Sequence, residues 1–390
     1  MKKELGAIVR GSESAFPREE YANRIAAARA TLAARGLDAL VLTGPENIFY
    51  LTGQQTPGYY TFQCLILPLE GEPLFLLRQL ELLNFLRNTF IDRHEVYQDN
   101  GKPAEILVTA LERMGLKGKR IAIEKRGWFL SIEFYELLTE RLGRVADGSG
   151  IVENLRMVKS SLELAMLEAA ARITDAGINA GLAAIKPGIS ENDLVAAMMA
   201  ASIGAGSEYM GMEPLVSSGP RAGVPHATWR RRKLEKGDPV FLEMAGCYNR
   251  YHVGLLRTAW IGKPPSLARD LATVTEEALQ AATEAMWPGA TCEAVHNAAQ
   301  GVIDRAGMTE RYRKRTGYST GISFAPDWGE WMVLSLFTGI TEPLQPGMAF
   351  HLPVALREYE AFTVGASETV VITETGCRKL GTIARGLRER

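Results

Sequence analysis

The stretch that decides the fold is VSSGPRAGVPHATWRRRKLEKGDPVFLEMAGCYNRYHVGLLRTAWIG, residues 216–262. Two apolar runs within it, 240–244 and 255–261, predict strands, and together they predict a β-hairpin. A loop flanked by Gly and Pro precedes the hairpin and carries His226. Glu243 lies inside the first apolar run, where a carboxylate is costly unless it is paired. The hairpin therefore predicts both a β-rich core and one chemically unusual acid.

The overall composition excludes several classes of protein. The chain has 390 residues, 44 of them basic and 45 acidic, with 46% hydrophobic residues and a formal net charge of −1. This balance is typical of a globular protein and predicts neither a nucleic-acid partner nor binding to an anionic membrane. No apolar stretch approaches the roughly 18 residues of a membrane span. The first residues carry two lysines but no apolar segment, so we expect no secretory signal.

The cysteines and histidines are few. The four cysteines (Cys64, Cys247, Cys292 and Cys377) are far apart in sequence and form no CxxC pair. This pattern predicts neither a disulfide framework nor a cysteine-type zinc site, and it agrees with a cytoplasmic location. Five histidines leave few ligands for a histidine-rich metal centre.

The pattern of helices and strands predicts two domains. Residues 1–155 alternate between predicted helices, such as 21–35 and 105–114, and short apolar strands, which indicates an α/β domain. In residues 156–390, Ser161 is predicted to cap a long Ala-rich helix and Ser190 to cap the next helix. Strands such as 347–353 follow, so this second domain mixes helices with strands.

The second domain resembles the creatinase and methionine-aminopeptidase superfamily. The stretches that carry the resemblance, in chain order, are LRMVKSSLEL, KPGISENDL, the hairpin region above, GYSTGISFAPDWGE, LQPGMAFHLP and SETVVITETG. The resemblance implies an α/β (α+β) protein. Its N-terminal part would be the ribonuclease H-like accessory domain of the prolidase and creatinase branch. Its C-terminal part would be a pita-bread catalytic domain.

The same resemblance implies where a metal centre would lie. Metallopeptidases of this fold hold two metal ions with two Asp, one His and two Glu, and the corresponding positions here are Glu243, Gly254, Tyr318, Pro353 and Ser367. One acidic ligand of the five is left. Two cations in one site need several hard oxygen ligands, so we expect no metal and no cofactor.

The metal-free side of the superfamily is the better match. The stretches TGQQTPGYYTFQ, LEMAGCYNRYHVGLLRT and PDWGEW look most like the ectoine hydrolases, whereas Leu256 and Tyr318 depart from creatinase. The expected function is metal-independent hydrolysis of a C–N bond in a small zwitterionic amino-acid derivative, a cyclic amidine, and an ectoine hydrolase-like activity is the best guess. An Xaa-Pro peptidase-like metalloenzyme with degenerate ligands and a non-catalytic binding homologue are the alternatives.

Three residues are predicted to be catalytic. Glu243 would pair with a substrate amidinium or attack its carbon as a nucleophile, unless it is a structural acid paired with an arginine of 230–232. His226 would move protons near neutral pH. His351 would be a second proton-transfer or orienting group, or a histidine packed behind the site.

Five residues are predicted to bind substrate. Tyr318 would donate a hydrogen bond or fill the vacated ligand position, and Trp328 and Glu330 belong to a polar-aromatic loop that is otherwise an exposed turn. Tyr60 would belong to an aromatic lid, and Arg78 would clamp a carboxylate. The resemblance implies that this lid acts across a homodimer.

Overall fold

The computed structural model describes residues 9–312 and 314–390. The chain divides into two compact units, the first ending at Arg156 and the second beginning at Met157. Within the described ranges, no helix has the length and apolarity needed to cross a bilayer. All four cysteines are free.

The N-terminal unit is built on a six-stranded mixed sheet with the order β4-β3-β2-β1-β5-β6. Its strands are β1 (Ala39–Leu42), β2 (Cys64–Pro68), β3 (Leu74–Arg78), β4 (Arg93–Tyr97), β5 (Ile121–Ile123) and β6 (Ala146–Asp147). Its helices are α1 (Arg18–Ala34), α2 (Pro45–Thr52), α3 (Leu82–Asn88), α4 (Pro103–Arg113) and α5 (Ile132–Leu142), with 3₁₀ turns at Pro57–Tyr60 and Gln79–Glu81. A further short helix, α6, spans Glu153–Met157.

The sequence of β1 explains why this strand lies inside the sheet. All four residues of β1 are buried, and the strand pairs antiparallel with β2 and parallel with β5. A continuous apolar run of this kind is typical of a strand covered on both faces. The predicted α/β character of this part is thereby confirmed.

The C-terminal unit is built on a nine-stranded sheet whose main path is β11-β10-β12-β13-β9-β8-β7, with β14 paired to β13 and β15 to β9. Its strands are β7 (Leu215–Ser218), β8 (Pro239–Tyr248), β9 (Tyr251–Trp260), β10 (Gly317–Ser319), β11 (Ser335–Leu336), β12 (Ala349–Glu358), β13 (Phe362–Thr373), β14 (Gly376–Lys379) and β15 (Arg388–Glu389). Its helices are α7 (Ser161–Ala184), α8 (Glu191–Gly204), α9 (Ser266–Glu284) and α10 (Cys292–Arg305), with 3₁₀ turns at Gly219–Gly223 and Thr309–Arg311.

Of the two predicted helix caps, one is confirmed and the other is wrong by one residue. Ser190 caps α8 as predicted, but the cap of α7 is Ser160 and not Ser161. The Ser160 hydroxyl accepts from the backbone N–H of Glu163, and the Glu163 carboxylate accepts from the Ser160 N–H. This reciprocal capping box satisfies two otherwise unpaired N–H groups, which a cap at Ser161 would not do.

The central hairpin has the predicted position and a tight turn. Strands β8 and β9 pair in register from Pro239 opposite Trp260 to Tyr248 opposite Tyr251. Asn249 and Arg250 form the two-residue connection and both have positive φ, 47° and 65°. Two left-handed residues in succession match the twist of the flanking strands. This turn fixes the register, and with it the face on which each side chain lies.

The two faces of the C-terminal sheet are covered differently. Helices α7 and α8 pack on one face against Leu242 and Met244 of β8, and α9 and α10 pack on the same side of the sheet against Phe350 and Leu352 of β12. The opposite face carries a smaller apolar cluster of buried residues: Leu215, Ala222, Phe241, Ala245, Leu256, Trp328 and Ala355. We call this group the small apolar cluster. It leaves room on that face for polar side chains.

Candidate active site

The sheet register collects polar side chains beside the small apolar cluster. Glu243 lies opposite Leu256 of that cluster, and His351 lies opposite Tyr318. Residues directly opposite each other on paired strands project from the same face. Gly254, opposite Ala245, touches the ring of His351 and so joins the two halves of this face. Glu243, His351 and Tyr318 therefore share one surface of the C-terminal sheet.

Glu243 is a buried carboxylate without a hydrogen-bond donor among the described residues. Its side chain is 8% exposed, and no described residue donates to it or forms an ion pair with it. Burial raises the pKa of the Glu243 carboxyl, Lys314 and Arg357 oppose that rise, and Asp327 adds to it. The predicted structural alternative, an ion pair with an arginine of 230–232, is not found among the described residues.

Other buried glutamates of the chain provide the contrast. Each of them accepts hydrogen bonds: Glu124, Glu163, Glu191, Glu330 and Glu368. Buried polar groups are satisfied in the great majority of cases, and exceptions concentrate where a ligand is bound or chemistry is done. The environment of Glu243 therefore differs from that of the other buried glutamates.

His351 is held as a neutral imidazole. Its Nδ1 lies 3.0 Å from the Tyr318 hydroxyl and its Nε2 lies 2.9 Å from the Ser367 hydroxyl. The Ser367 hydroxyl also accepts from the backbone N–H of Leu256 at 2.7 Å. Burial, with lesser contributions from Lys314 and Arg257, lowers the pKa of His351 to about 3. A ring fixed at both nitrogens orients its neighbours better than it carries protons.

Tyr318 links His351 to the aromatic loop. Its hydroxyl oxygen accepts from the indole N–H of Trp328 at 3.3 Å, and the ring packs on Gly329, where a Cβ would lie 2.4 Å from Cε2. Burial and the nearby Glu243 charge raise the pKa of Tyr318, which keeps the phenol protonated. A phenol that donates to Nδ1 leaves the Nε2–H of the imidazole to donate to Ser367.

The aromatic loop is more buried than an exposed turn would be. Trp328 is 3% exposed and packs in the small apolar cluster. Asp327 folds the loop, because its Oδ1 accepts from the backbone N–H groups of Trp328 and Gly329. The indole of Trp328 thus lines the face on which Glu243 lies.

Glu330 of the same loop has a different environment. Its carboxylate forms an ion pair with Lys159 at 2.9 Å and accepts from the Ser319 hydroxyl and the Ile322 N–H. Both charged side chains of the pair are 1% exposed. These contacts favour a structural role for Glu330 over the predicted role in substrate binding, because its lone pairs are already used.

His226 lies on an exposed loop, and its pKa is affected by some of the charged side chains that affect the pKa of Glu243. Its backbone is left-handed, with φ at 56°, and its side chain is exposed. Partial burial lowers the pKa of His226, Lys314, Arg357 and Arg315 lower it further, and Asp327 opposes them. Lys314, Arg357 and Asp327 also act on Glu243, so the imidazole and the carboxylate lie in one electrostatic environment.

The two predicted residues of the N-terminal unit lie close to each other, since Tyr60 interacts with the Arg78 guanidinium. Tyr60 ends a 3₁₀ turn and is 76% exposed, which suits a lid residue. The Arg78 guanidinium binds Asp99 in a bidentate pair, with Nε–Oδ1 at 2.5 Å and Nη2–Oδ2 at 2.9 Å. A substrate carboxylate would have to displace Asp99 before Arg78 could clamp it.

The remaining histidines have structural partners. His252 is fully buried; its Nε2 accepts from the Gly211 N–H at 2.9 Å and its Nδ1 lies 2.9 Å from the Arg250 carbonyl. His296 is buried against the Thr316 hydroxyl, and His94 lies on β4. These contacts agree with the expectation that the three are structural.

Sequence reasoning missed Lys314 and Arg357. Lys314 belongs to a run of cations, RYRKR at 311–315, that resembles a solvated surface. Arg357 had a signal that went unused: on β12 it is six residues after His351, and side chains at even spacings share a face of a strand. The alternation from His351 to Arg357 therefore places a cation on the site face.

The donor set does not fit two metal ions. No group of three or more His, Cys, Asp or Glu side chains suited to a metal occurs in the part of the chain that the structure describes. At Gly254, a Cβ would stand 2.7 Å from Cε1 of His351, so the imidazole fills the space of a ligand side chain there. Pro353 and Ser367 lie opposite each other and supply no carboxylate. We derive no chemistry through a metal at this site.

Comparison with known sequences identifies both units. The profile of metallopeptidase family M24 matches residues 165–374, and that of the creatinase/prolidase N-terminal domain matches residues 24–158. The chain is 31% identical to an ectoine hydrolase of Halomonas elongata, over 95% of this chain and 98% of that protein.

Solved structures agree with the fold. The dipeptidase PepE of Mycobacterium ulcerans superposes with a TM-score of 0.83 at 27% identity, covering 96% of this chain and 99% of that one. The prolidase of Thermococcus sibiricus superposes with a TM-score of 0.86 at 23% identity, covering 95% and 99%. The two-unit architecture is thus that of the pita-bread enzymes.

Proposed function

Because the chain belongs to metallopeptidase family M24 and carries a creatinase/prolidase N-terminal domain, we propose that it is a hydrolase of one particular kind. It opens a C–N bond in a small zwitterionic cyclic amidine, and it does so without a metal ion. Ectoine, a six-membered amidine ring that carries a carboxylate, is the proposed substrate. The similarity to the Halomonas elongata ectoine hydrolase supports this choice.

The observation that carries the proposal is the state of Glu243. The carboxylate is buried, has no hydrogen-bond donor among the described residues and stands at a position that the sequence resemblance assigns to a metal ligand of the metallopeptidases. In a cyclic amidinium the two ring N–H bonds diverge on either side of the amidine carbon, so a carboxylate accepts a charge-assisted hydrogen bond from one of them and offsets the delocalised positive charge. A metal ion would repel a cationic substrate, whereas an unpaired carboxylate attracts it and accepts its hydrogen bonds.

The proposed reaction adds water across the amidine carbon. Glu243 either holds the amidinium charge or attacks the carbon first, and the oxygen of water then becomes the amide oxygen. His226 takes one proton from the attacking water and gives it to the leaving ring nitrogen as the C–N bond breaks. The second water proton passes to the same nitrogen when the C=O bond forms, so that amidinium and water give an amide and an ammonium group. The neutral His351 and the protonated Tyr318 orient the polar groups of the site and carry no net charge.

The direct test is ring opening of ectoine by chelator-treated protein, followed by proton NMR. We expect the acyclic amide to accumulate with the wild type and not with Glu243→Ala. Intact ectoine in the presence of folded wild type would refute the assignment. If ectoine then still raised the unfolding temperature, the protein would be a binding homologue.

A metal-dependent dipeptidase is the second candidate, and the similarity to PepE of Mycobacterium ulcerans favours it. Elemental analysis of the purified protein separates the two functions. We expect less than one equivalent of Mn, Co or Zn per chain and no loss of activity with EDTA. Two tightly held ions per chain would reverse the order of the candidates.

The cytoplasmic location and the homodimer stay predictions. The dimer matters for function, because Tyr60 belongs to the proposed lid. Sedimentation equilibrium measures the oligomeric state directly, and a monomer at micromolar concentration would contradict a lid supplied by a second chain.

A further inference from the structure

Two cations on the site face lack a complete set of partners among the described residues. The Nε of Arg357 is buried and forms no hydrogen bond there. The Lys314 ammonium forms no hydrogen bond or ion pair with any residue in the described ranges, and burial lowers its pKa. Nearby cations behave differently, since Arg311 pairs with Glu358 and Arg232 with Asp238.

The two cations lie on or just before strands that carry the site. Arg357 lies on β12 at an even spacing from His351 and therefore on the same face. Lys314 is four residues before Tyr318, in a bend that precedes β10. Each stabilises the charged form of Glu243, yet neither forms an ion pair with it. Within the described residues, the face thus holds the unpaired Glu243 carboxylate, and Lys314 and Arg357 have no ion-pair partner there. A third cation, Arg315, lies over the Tyr318 ring.

An unpaired charge in a buried site costs free energy. A ligand with one positive and one negative end would lower both the cost of the Glu243 anion and that of the two cations. The small apolar cluster, with Phe241, Leu256 and Ala355, suits the methylene groups of a compact ring. We propose that Lys314 and Arg357 bind the carboxylate end of a zwitterionic substrate while Glu243 binds its cationic end. The inference rests on the proposed function for the nature of the substrate and assigns the residues that select it.

This assignment moves the carboxylate contact to the C-terminal unit. Arg78, the residue predicted from sequence, already has Asp99 as its partner, whereas the Arg357 guanidinium has an orphan N–H among the described residues. The planar guanidinium of an Arg donates hydrogen bonds in fixed directions, and the flexible ammonium of a Lys can adjust to the same carboxylate. The enzyme should therefore select zwitterions over simple amidinium cations.

The test compares ligand pairs that differ only in the carboxylate. The pairs are ectoine with methyl-tetrahydropyrimidine, and creatine with dimethylguanidine, titrated calorimetrically into wild type, Lys314→Gln and Arg357→Gln. We expect the wild type to prefer the zwitterion of at least one pair by about 10-fold or more. Each variant should lose about 10- to 100-fold of affinity for that zwitterion and little for its partner cation.

The controls separate a binding role from a folding role. Arg378→Gln removes a cation that already pairs with Glu168 and should leave the preference intact. Lys314→Arg and Arg357→Lys keep the charge and should recover part of the preference. For a turned-over substrate, KM should rise in the Gln variants while kcat changes less.

The outcomes distinguish the inference from the proposed function. A zwitterion preference that vanishes in the variants supports the inference even if ectoine is not opened. Ectoine opening with unchanged KM in both Gln variants would refute the inference and leave the proposed function intact. A wild type without preference in either pair would also overturn the inference.

Discussion

The imidazole of His351 lies directly against the backbone of Gly254, so that a Cβ on residue 254 would stand 2.7 Å from Cε1 and 2.8 Å from Nδ1. Such distances are well inside van der Waals contact. The absence of a side chain at residue 254 is therefore a packing requirement of the ring.

The first prediction follows from this contact. Gly254→Ala should destabilise the protein by about 1–3 kcal/mol, because the ring is held by Tyr318 and Ser367 and cannot move freely. Gly204→Ala is the matched control, since a Cβ there meets nothing within 4 Å. Denaturant unfolding measures both. A Gly254→Ala protein as stable as the control would contradict the packing argument.

The second prediction concerns the neutral state of His351. Its pKa is about 3 when folded and about 6.5 when unfolded. Between these values the unfolded chain binds more protons, so stability is full above pH 6.5 and falls as the pH drops toward 3. The slope from this group is at most about 1.4 kcal/mol per pH unit.

The measurement is the difference between wild type and His351→Gln in urea unfolding from pH 7 to pH 4. The variant should lose less stability over this interval, although it starts from a lower value. Parallel curves would show that the pKa of His351 is the same in the folded and unfolded protein and would contradict the prediction.

The third prediction contrasts two buried carboxylates. Glu243→Gln should abolish activity but keep or increase stability, because it removes an unpaired charge from a buried position. Glu330→Gln should destabilise by about 3–5 kcal/mol, because it leaves the buried Lys159 ammonium without its partner. Thermal unfolding measures the stability of both variants, and an activity assay measures their loss of function relative to the wild type. A loss of stability in Glu243→Gln equal to that of Glu330→Gln would assign Glu243 a structural role.

The fourth prediction concerns the exposed loop. His226→Asn should lower kcat by about 10²- to 10⁴-fold with little change in stability. Asn is the replacement of choice, because it tolerates the left-handed backbone at this residue, φ 56°. Because the His226 pKa is lowered, activity should stay flat around neutral pH and fall on the acid side below 6.5. A pH–rate profile that is unchanged by the His226→Asn substitution would exclude His226 as the base.

The hairpin shows how much of the fold the sequence determined. The apolar runs 240–244 and 255–261 predict strands that overlap β8 and β9, and Glu243 lies in the first run. They do not show that both strands continue to the turn at Asn249 and Arg250. The cap of α7 predicted at Ser161 is wrong, although the S-x-x-E spacing of a capping box begins at Ser160. The reciprocal bonds with Glu163 show that Ser160 is the cap.

The candidate site was harder to predict where partners come from distant elements. Glu330 looked available in sequence, but Lys159 reaches it from 171 residues away. Lys314 looked like part of a solvated basic run, because nothing local shows that it faces Glu243. Long-range pairing of this kind leaves no periodic signal in a single sequence.

The contact between Gly254 and His351 also bears on how such a site changes over evolution. The imidazole, its two hydroxyl anchors Tyr318 and Ser367, and the glycine beneath it interlock. A side chain at residue 254 would clash with the ring, and loss of either hydroxyl would leave a ring nitrogen without its partner. The four positions are therefore epistatic, because the effect of a substitution at one of them depends on the residues at the other three.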